Sequence, residues 1–267
     1  MNTAHDDAAA AATAIASATG VEQHDIALVL GSGWGDAVSL IGEPVATVAS
    51  TDIPGFGEAA VKGHKSEIQS LLTAEGKRVL VLGARHHFYE SRNAQAVVHG
   101  VRAAAAAGCR TLVLTNGCGS ALPEIGPGTP VLIRDHINFT GATPLEGANF
   151  VDLTNVYSPR LRELAREVDP SLTEGVYIQF PGPQYETPAE VQMAAGWGAT
   201  LIGMSTALEA IAARAAGLEV LGVSLVTNLG AGIGGEELNH QEVIDAGREA
   251  GPRISKLLAD IVARIPA

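Results

Sequence analysis

What constrains this chain most is a series of short, mostly apolar runs: Ile26–Leu30, Arg78–Leu82, Thr111–Leu114, Pro130–Ile133, Val176–Ile178, Thr200–Ile202 and Val220–Val226. Their apolar residues do not alternate with polar ones, so neither face of such a strand is built to meet water. Strands of that kind belong in a mainly parallel sheet covered on both sides. Longer segments of helical period lie between several of them, at Ala94–Ala107, Pro159–Val168, Pro188–Ala195, Thr206–Ala216 and His240–Ile265. The alternation predicts an α/β fold: a central, mainly parallel or mixed twisted sheet flanked by helices. Glu67–Leu72 and Val45–Ala49 suit antiparallel strands at one edge. Alanines between Ala8 and Ala18 place a helix within residues 1–20. With 46% hydrophobic residues and no low-complexity linker, residues 1–267 read as one domain.

The formal charge of −12 argues against nucleic acid or an anionic membrane as partner, because both require a basic surface. A small anion can still be held, but only by donors gathered at one place against the overall field. Residues 1–20 carry Asp6 and Asp7 where an export signal has lysines, and no strongly apolar stretch follows. No run of eighteen apolar residues offers a membrane span. Two cysteines, Cys109 and Cys118, make neither a disulfide framework nor a metal cluster. The expectation is a soluble, cytoplasmic protein with no nucleic-acid or membrane partner and no metal.

Polar and glycine-rich residues follow most of the apolar runs directly, and α/β sheets bind ligands at strand ends. Phe180-Pro-Gly-Pro-Gln-Tyr-Glu-Thr-Pro188 is the most distinctive of these segments, stiffened by its prolines. It presents Tyr185 beside Glu186, an aromatic face and a carboxylate that suit a flat heterocycle carrying an N–H. Glu186 equally suits the first turn of the next helix. Gly31-Ser-Gly33 is a turn whose N–H groups and hydroxyl can hold a phosphate-like anion, or a plain tight turn. It is not a P-loop, for no Gly-Lys-Ser/Thr follows, and Asp36 stands where a dinucleotide fingerprint needs its third glycine. Gly230, Gly232 and Gly235 do match that fingerprint. However, Glu236 and Glu237 would oppose a pyrophosphate, and the chain ends after one helix, so no βαβ unit can follow.

Arg85-His-His-Phe-Tyr-Glu90 gathers a bidentate anion binder with two histidines, a tyrosine and a glutamate. His86 and His87 are adjacent and lack the helical spacing of paired metal ligands. Leu114-Thr-Asn-Gly-Cys-Gly-Ser120 runs from a strand into small residues, where Gly117 and Gly119 let a ligand approach the backbone. Gly203-Met-Ser205 opens a helix, with Ser205 as its cap or as an anion contact. Val226-Thr-Asn228 ends a very apolar strand, and Asn239-His240 stands at a helix start.

Taken in order from Leu28 to about His240, LVLGSG, VKGH, ARHHFYE, LTNGCG, DHINFTG, FPGPQYETPAE, GMSTALEA and VTNLGAG resemble the motifs of the trimeric purine nucleoside phosphorylases. The resemblance implies reversible phosphorolysis of 6-oxopurine ribo- or deoxyribonucleosides, such as inosine and guanosine, in purine salvage. The products would be the free base and the α-pentose 1-phosphate. By motif, phosphate falls to Ser32, His64, Arg85, His87, the Gly117 backbone and Ser205, with Glu90 orienting the His87 imidazole. Ribose falls to Tyr89, Met204 and His240, and purine to Tyr185, Glu186 and Asn228. Phe150, in Asn149-Phe-Val-Asp152, resembles an aromatic that completes a neighbouring subunit's site, which implies a homotrimer. Catalysis then rests on Asn228, Glu186 and His87, through positioning and stabilisation of charge as the purine leaves. Phosphate is a co-substrate, and no cofactor is implied. One departure is Gly117-Cys118, where many relatives carry two alanines.

Rival readings require different residues. A methylthioadenosine phosphorylase needs an acceptor for an exocyclic amine, typically an aspartate in place of Asn228, and an apolar pocket where His240 stands. A hydrolytic nucleosidase has no need of Arg85 and the Ser32 turn to hold phosphate. A non-catalytic nucleotide-binding protein has no need of Arg85, His87 and Glu186 together.

Overall fold

The computed structural model describes residues 3–58, 66–83, 85–234 and 238–267. Among them the strands are β1 (Ile26–Val29), β2 (Glu43–Ala49), β3 (Glu67–Leu72), β4 (Arg78–Leu82), β5 (Thr111–Ser120), β6 (Pro130–Asn138), β7 (Thr173–Gln179), β8 (Leu201–Gly203) and β9 (Glu219–Leu229). The helices are α1 (Thr3–Thr19), α2 (Val38–Ile41), α3 (Phe88–Ser91), α4 (Ala94–Val97), α5 (His99–Ala106), α6 (Pro159–Val168), α7 (Pro188–Gly196), α8 (Ala207–Ala215) and α9 (His240–Arg264).

One sheet connects all the strands in the order β2-β3-β4-β1-β5-β8-β7-β6-β9, and β9 pairs back onto β5. β4, β1, β5 and β9 are parallel neighbours, whereas β2 and β3 form the antiparallel edge that the sequence suggests. β6, β7 and β8 run parallel to one another, with β6 antiparallel to β9 and β8 antiparallel to β5. Five strands therefore close into a ring, and the other four extend from it as an open wing. The expected mixed sheet is present. The closure was not legible, because an apolar run says how deeply a strand is buried and not which strand lies beside it.

β1 shows why these runs lack alternation. Ala27 and Val29 pack with α1, α5 and α8, while Ile26 and Leu28 pack with α2, α6 and α9. Both faces are dry, so polar residues have no place. A smaller cluster, including Ile178, Phe180, Val191 and Ile202, seats α7 against the ring. Each buried large aliphatic side chain contributes roughly 1.5–3 kcal/mol. At the far end, Lys77 Nζ donates to the carbonyls of Val262, Ala263 and Ile265 at 2.9, 2.6 and 2.9 Å. This lysine closes the C-terminus of α9, satisfying carbonyls that a helix end leaves open.

Two local expectations need correction. The helix expected over Ala94–Ala107 breaks at Val98 into α4 and α5. The β-branched pair Val97-Val98 leads into His99 and Gly100, all weaker helix formers than alanine. His99 bonds the Pro54 carbonyl at 2.9 Å, re-aiming the second segment. The small residues after Leu114 are also not a strand end, because β5 runs on to Ser120. Asn116–Ser120 pair with β9, and Gly119 and Ser120 also with β8, so ladder formation overrides their poor strand propensity.

Candidate active site

One cleft is lined by residues from β5, β9, the β1 and β4 ends, the loop before α7, β8 with the turn after it, and α9. Asn116, in the middle of β5, lines its floor, and its equally buried neighbour Thr115 lies just behind it. The Thr115 hydroxyl accepts the Gly31 N–H at 3.0 Å, and the Asn116 carbonyl accepts Trp34 Nε1–H at 3.0 Å. These two bonds pin the Gly31-Ser-Gly33 turn on β5. A Cβ on Gly31 would lie 2.6 Å from the Thr115 carbonyl oxygen, so only glycine allows that approach. Ser32 is thereby placed in the cleft wall beside Gly117.

Arg85 is only 5% exposed, in a chain of strongly acidic charge. Its Nε donates to Glu209 Oε1 at 3.0 Å and its Nη1 to the Thr115 carbonyl at 2.8 Å. The remaining nitrogen, Nη2, is buried and has no partner. A buried cationic donor left unpaired is costly, and an oxyanion in the cleft would satisfy it.

Ser205 joins the same region from the turn between β8 and α8. The sequence offers Ser205 as the cap of this helix, but the cap is Thr206, with Glu209 completing a capping box. Thr206 has φ +83°, a conformation that a β-branched residue adopts only when its surroundings impose it. Asn116 Nδ2 donates to its hydroxyl at 3.0 Å, and its N–H donates to Glu209 Oε2 at 2.8 Å. Ser205 is free of the capping role and lines the cleft, its N–H donating to the Tyr177 hydroxyl at 3.3 Å.

His87 and Glu90 open and close the first turn of α3. Glu90 Oε1 accepts the His87 N–H at 2.7 Å and lies 3.0 Å from His87 Nδ1. Tyr89 stacks on the His87 ring, with centroids 4.9 Å apart and planes 9° from parallel. Burial, with smaller help from Glu90, pushes the Tyr89 hydroxyl up to about 12, so it remains a proton donor at neutral pH.

The opposite end is built by the loop before α7. Thr187 caps that helix and Glu190 completes the box, so Glu186 lies outside the helix and is not a first-turn residue. Glu186 Oε1 is buried without a partner, and desolvation raises the carboxyl from its ordinary 4.5 to about 7. Arg92 clamps the loop by donating to the carbonyls of Pro181 and Gly182 at 3.2 and 2.6 Å. Gly182, at φ +56°, sits where a Cβ would fall 2.5 Å from Met204 Sδ, so the loop closes tightly onto Met204.

Asn228 enters through a bulge in β9. Cys118 pairs with Val226 and Gly119 with Asn228, leaving Thr227 as the extra residue. Bulges of this kind re-aim side chains beside functional sites. The Thr227 hydroxyl donates to Asn228 Oδ1 at 2.9 Å, and Asn228 Nδ2 donates to the Leu229 carbonyl at 3.0 Å. Rotating the amide would set its oxygen against that carbonyl, so the side chain is held in one orientation.

The cleft brings together Ser32, Arg85, His87, Tyr89, Gly117, Tyr185, Glu186, Met204, Ser205 and Asn228. His64 lies outside the described residues, and of His240 only its place as first residue of α9 is described. Phe150 is not in this cleft. It stands 94% exposed in the loop between β6 and α6. Asn116, Thr227, Leu238 and Val243 also line the cleft, and the sequence alone gives none of them an individual role. Asn116 and Thr227 had a signal, as polar residues that follow very apolar runs; the two aliphatic residues had none. No group of three His, Cys, Asp or Glu side chains able to hold a metal occurs among the described residues.

The phosphorylase superfamily model matches residues 25–263, and the chain belongs to that superfamily of pentosyltransferases. A purine nucleoside phosphorylase from Cellulomonas sp is 65% identical over 261 residues, 96% of this chain and 93% of that protein. The purine nucleoside phosphorylase of Mycobacterium tuberculosis is 54% identical, covering 95% of this chain and 94% of its own. The crystal structure of Schistosoma mansoni purine nucleoside phosphorylase in complex with inosine superposes with a TM-score of 0.89 at 29% identity, over 98% of this chain and 97% of that one. Within the superfamily, the chain is a member of the purine nucleoside phosphorylase family.

Proposed function

We propose that the cleft catalyses reversible phosphorolysis of 6-oxopurine nucleosides, with phosphate held by Ser32, Arg85, His87, the Gly117 backbone and Ser205. His64 would be a further phosphate contact, and Tyr89, Met204 and His240 would hold the pentose. The purine would lie against Tyr185, Glu186 and Asn228. One observation carries the reading: the cleft has a partnerless buried guanidinium nitrogen among its anion-binding candidates and a partnerless buried carboxylate oxygen among its base-binding candidates. A molecule with an anion at one end and an N–H at the other answers both.

The chemistry follows from that placement. Phosphate attacks the anomeric carbon from the face opposite the base, and the C–N bond breaks well ahead of bond formation. Negative charge develops on the departing purine. Asn228, its oxygen held by Thr227, keeps an N–H of Nδ2 to donate to the base. Glu186, acceptor-only when ionised, takes the ring N–H that a 6-oxopurine carries. Adenine has a lone pair there, so two acceptors would face each other. A site built around a required hydrogen bond rejects the analogue lacking it by about 10⁴. The test is kcat/KM for inosine and guanosine against adenosine. Good use of the first two with very poor use of adenosine is expected; equal values would remove Glu186 from base recognition.

Phe150 supports a homotrimer, because a fully presented aromatic on a long loop suits insertion at a neighbouring subunit's site. Light scattering should give about three chains' mass. An active monomer would refute the shared site. No described helix is long and apolar enough to cross a membrane.

A further inference from the structure

Glu209 lies in the GMSTALEA segment, where the motif match assigns it no role. It is the third residue of α8 and 2% exposed, and its two oxygens serve different parts of the cleft. Oε1 accepts from Arg85 Nε at 3.0 Å, and Oε2 accepts the Thr206 N–H at 2.8 Å. Arg85 follows β4, in the open wing of the sheet, whereas Thr206 and Ser205 follow β8, in the closed ring. The carboxylate is a direct bridge between these two distant strand ends.

We propose that Glu209 is a positioning residue for phosphate, holding the Arg85 guanidinium and the Ser205–Thr206 corner in register with each other. The proposal rests on the reading of Arg85 and Ser205 as phosphate ligands. A guanidinium rolls freely about its stem unless its edges are claimed. Here Glu209 takes Nε and the Thr115 carbonyl takes one hydrogen of Nη1, which fixes the plane and leaves Nη2 unclaimed. On the other side, Thr206 keeps its unfavourable φ of +83° while Glu209 holds its N–H and Asn116 its hydroxyl. The Ser205 hydroxyl lies 3.1 Å from that of Thr206, so the corner sets the serine's place. Capping alone does not require this arrangement. Glu190 makes the same reciprocal cap on α7 beside an exposed Thr187, in a box that joins no second element.

The test compares Glu209→Gln, Glu209→Asp and Arg85→Ala with the unaltered enzyme. Glutamine can accept from only one of the two N–H donors and turns its own NH2 toward the other. Aspartate keeps the charge but is too short to span both. In each Glu209 variant the KM for phosphate should rise at least tenfold while the KM for inosine stays within threefold. The rise in Tm that phosphate produces should shrink correspondingly. A purely structural role would lower Tm and leave the phosphate-induced rise intact. If Glu209→Gln does not fold, Glu209→Asp carries the test with the same expected split. A folded variant with unchanged phosphate KM, or with both KM values rising together, overturns the positioning role. Unchanged phosphate dependence in Arg85→Ala would instead overturn the phosphate reading beneath it.

Discussion

Replacing Glu186 by glutamine should make the ligand-free protein more stable at alkaline pH while impairing turnover of inosine. The carboxyl rises from 4.5 to about 7 because burial strips water from the charged form, which a backbone hydrogen bond only partly offsets, and Oε1 is left without a partner. A raised carboxyl means that the native state holds its proton more tightly than the unfolded chain does. Stability from this group is therefore full below about pH 4.5 and is lost as pH rises to about 7. That rise corresponds to about 3 kcal/mol at most, or about 1–2 kcal/mol once solvent reaching the partly buried side chain is allowed for. Glutamine has nothing to ionise, so the variant should gain on the native enzyme by this amount between pH 5 and pH 8. Urea unfolding of both proteins at the two pH values measures the difference directly. Inosine kcat/KM should fall about 10–100-fold, since glutamine's oxygen still accepts the ring N–H but without its charge. Identical pH dependence of stability in the two proteins, or a variant less stable at pH 8, would refute the reasoning.

Other outcomes follow from the same contacts. Burial holds the His24 imidazole down at about 4, with Nε2 on the Ser70 hydroxyl at 2.9 Å. The unfolded chain takes up a proton below about 6.5 that the native state refuses, so stability should fall by up to about 3 kcal/mol between pH 6.5 and 4. His24→Gln should flatten that part of the urea-stability profile; an unchanged slope would assign it elsewhere. Asn228→Asp sets a carboxylate oxygen against the Leu229 carbonyl, now 3.0 Å from the amide nitrogen. Inosine turnover should drop and the adenosine-to-inosine ratio of kcat/KM should rise, and a falling ratio would count against Asn228 as a base contact.

The sheet was legible because its physics is written in single strands. β3 and β4 have the bounds that the apolar runs suggest, and α6 those of its helical pattern, opening at Pro159 after the Ser158 cap. Partners along β5 were not legible, since Asn116–Ser120 read locally as small residues beyond a strand end and become strand only through β9. The cleft was legible where a residue type is expensive to bury, as with Arg85 and Glu186. Their supports were not. Glu209, Trp34 and Thr206 act through bonds to residues 82–124 positions away, and no local pattern carries that information. Ser205 illustrates the limit: a serine before a helix fits a cap, and only the backbone at Thr206 shows which residue does it.

The most direct test is inosine cleavage by the purified enzyme with and without inorganic phosphate, following hypoxanthine release and the fate of the sugar. Turnover should depend on phosphate, saturate with it, and yield one ribose 1-phosphate per hypoxanthine. Hypoxanthine release at the same rate without phosphate, with free ribose as the product, would contradict phosphorolysis.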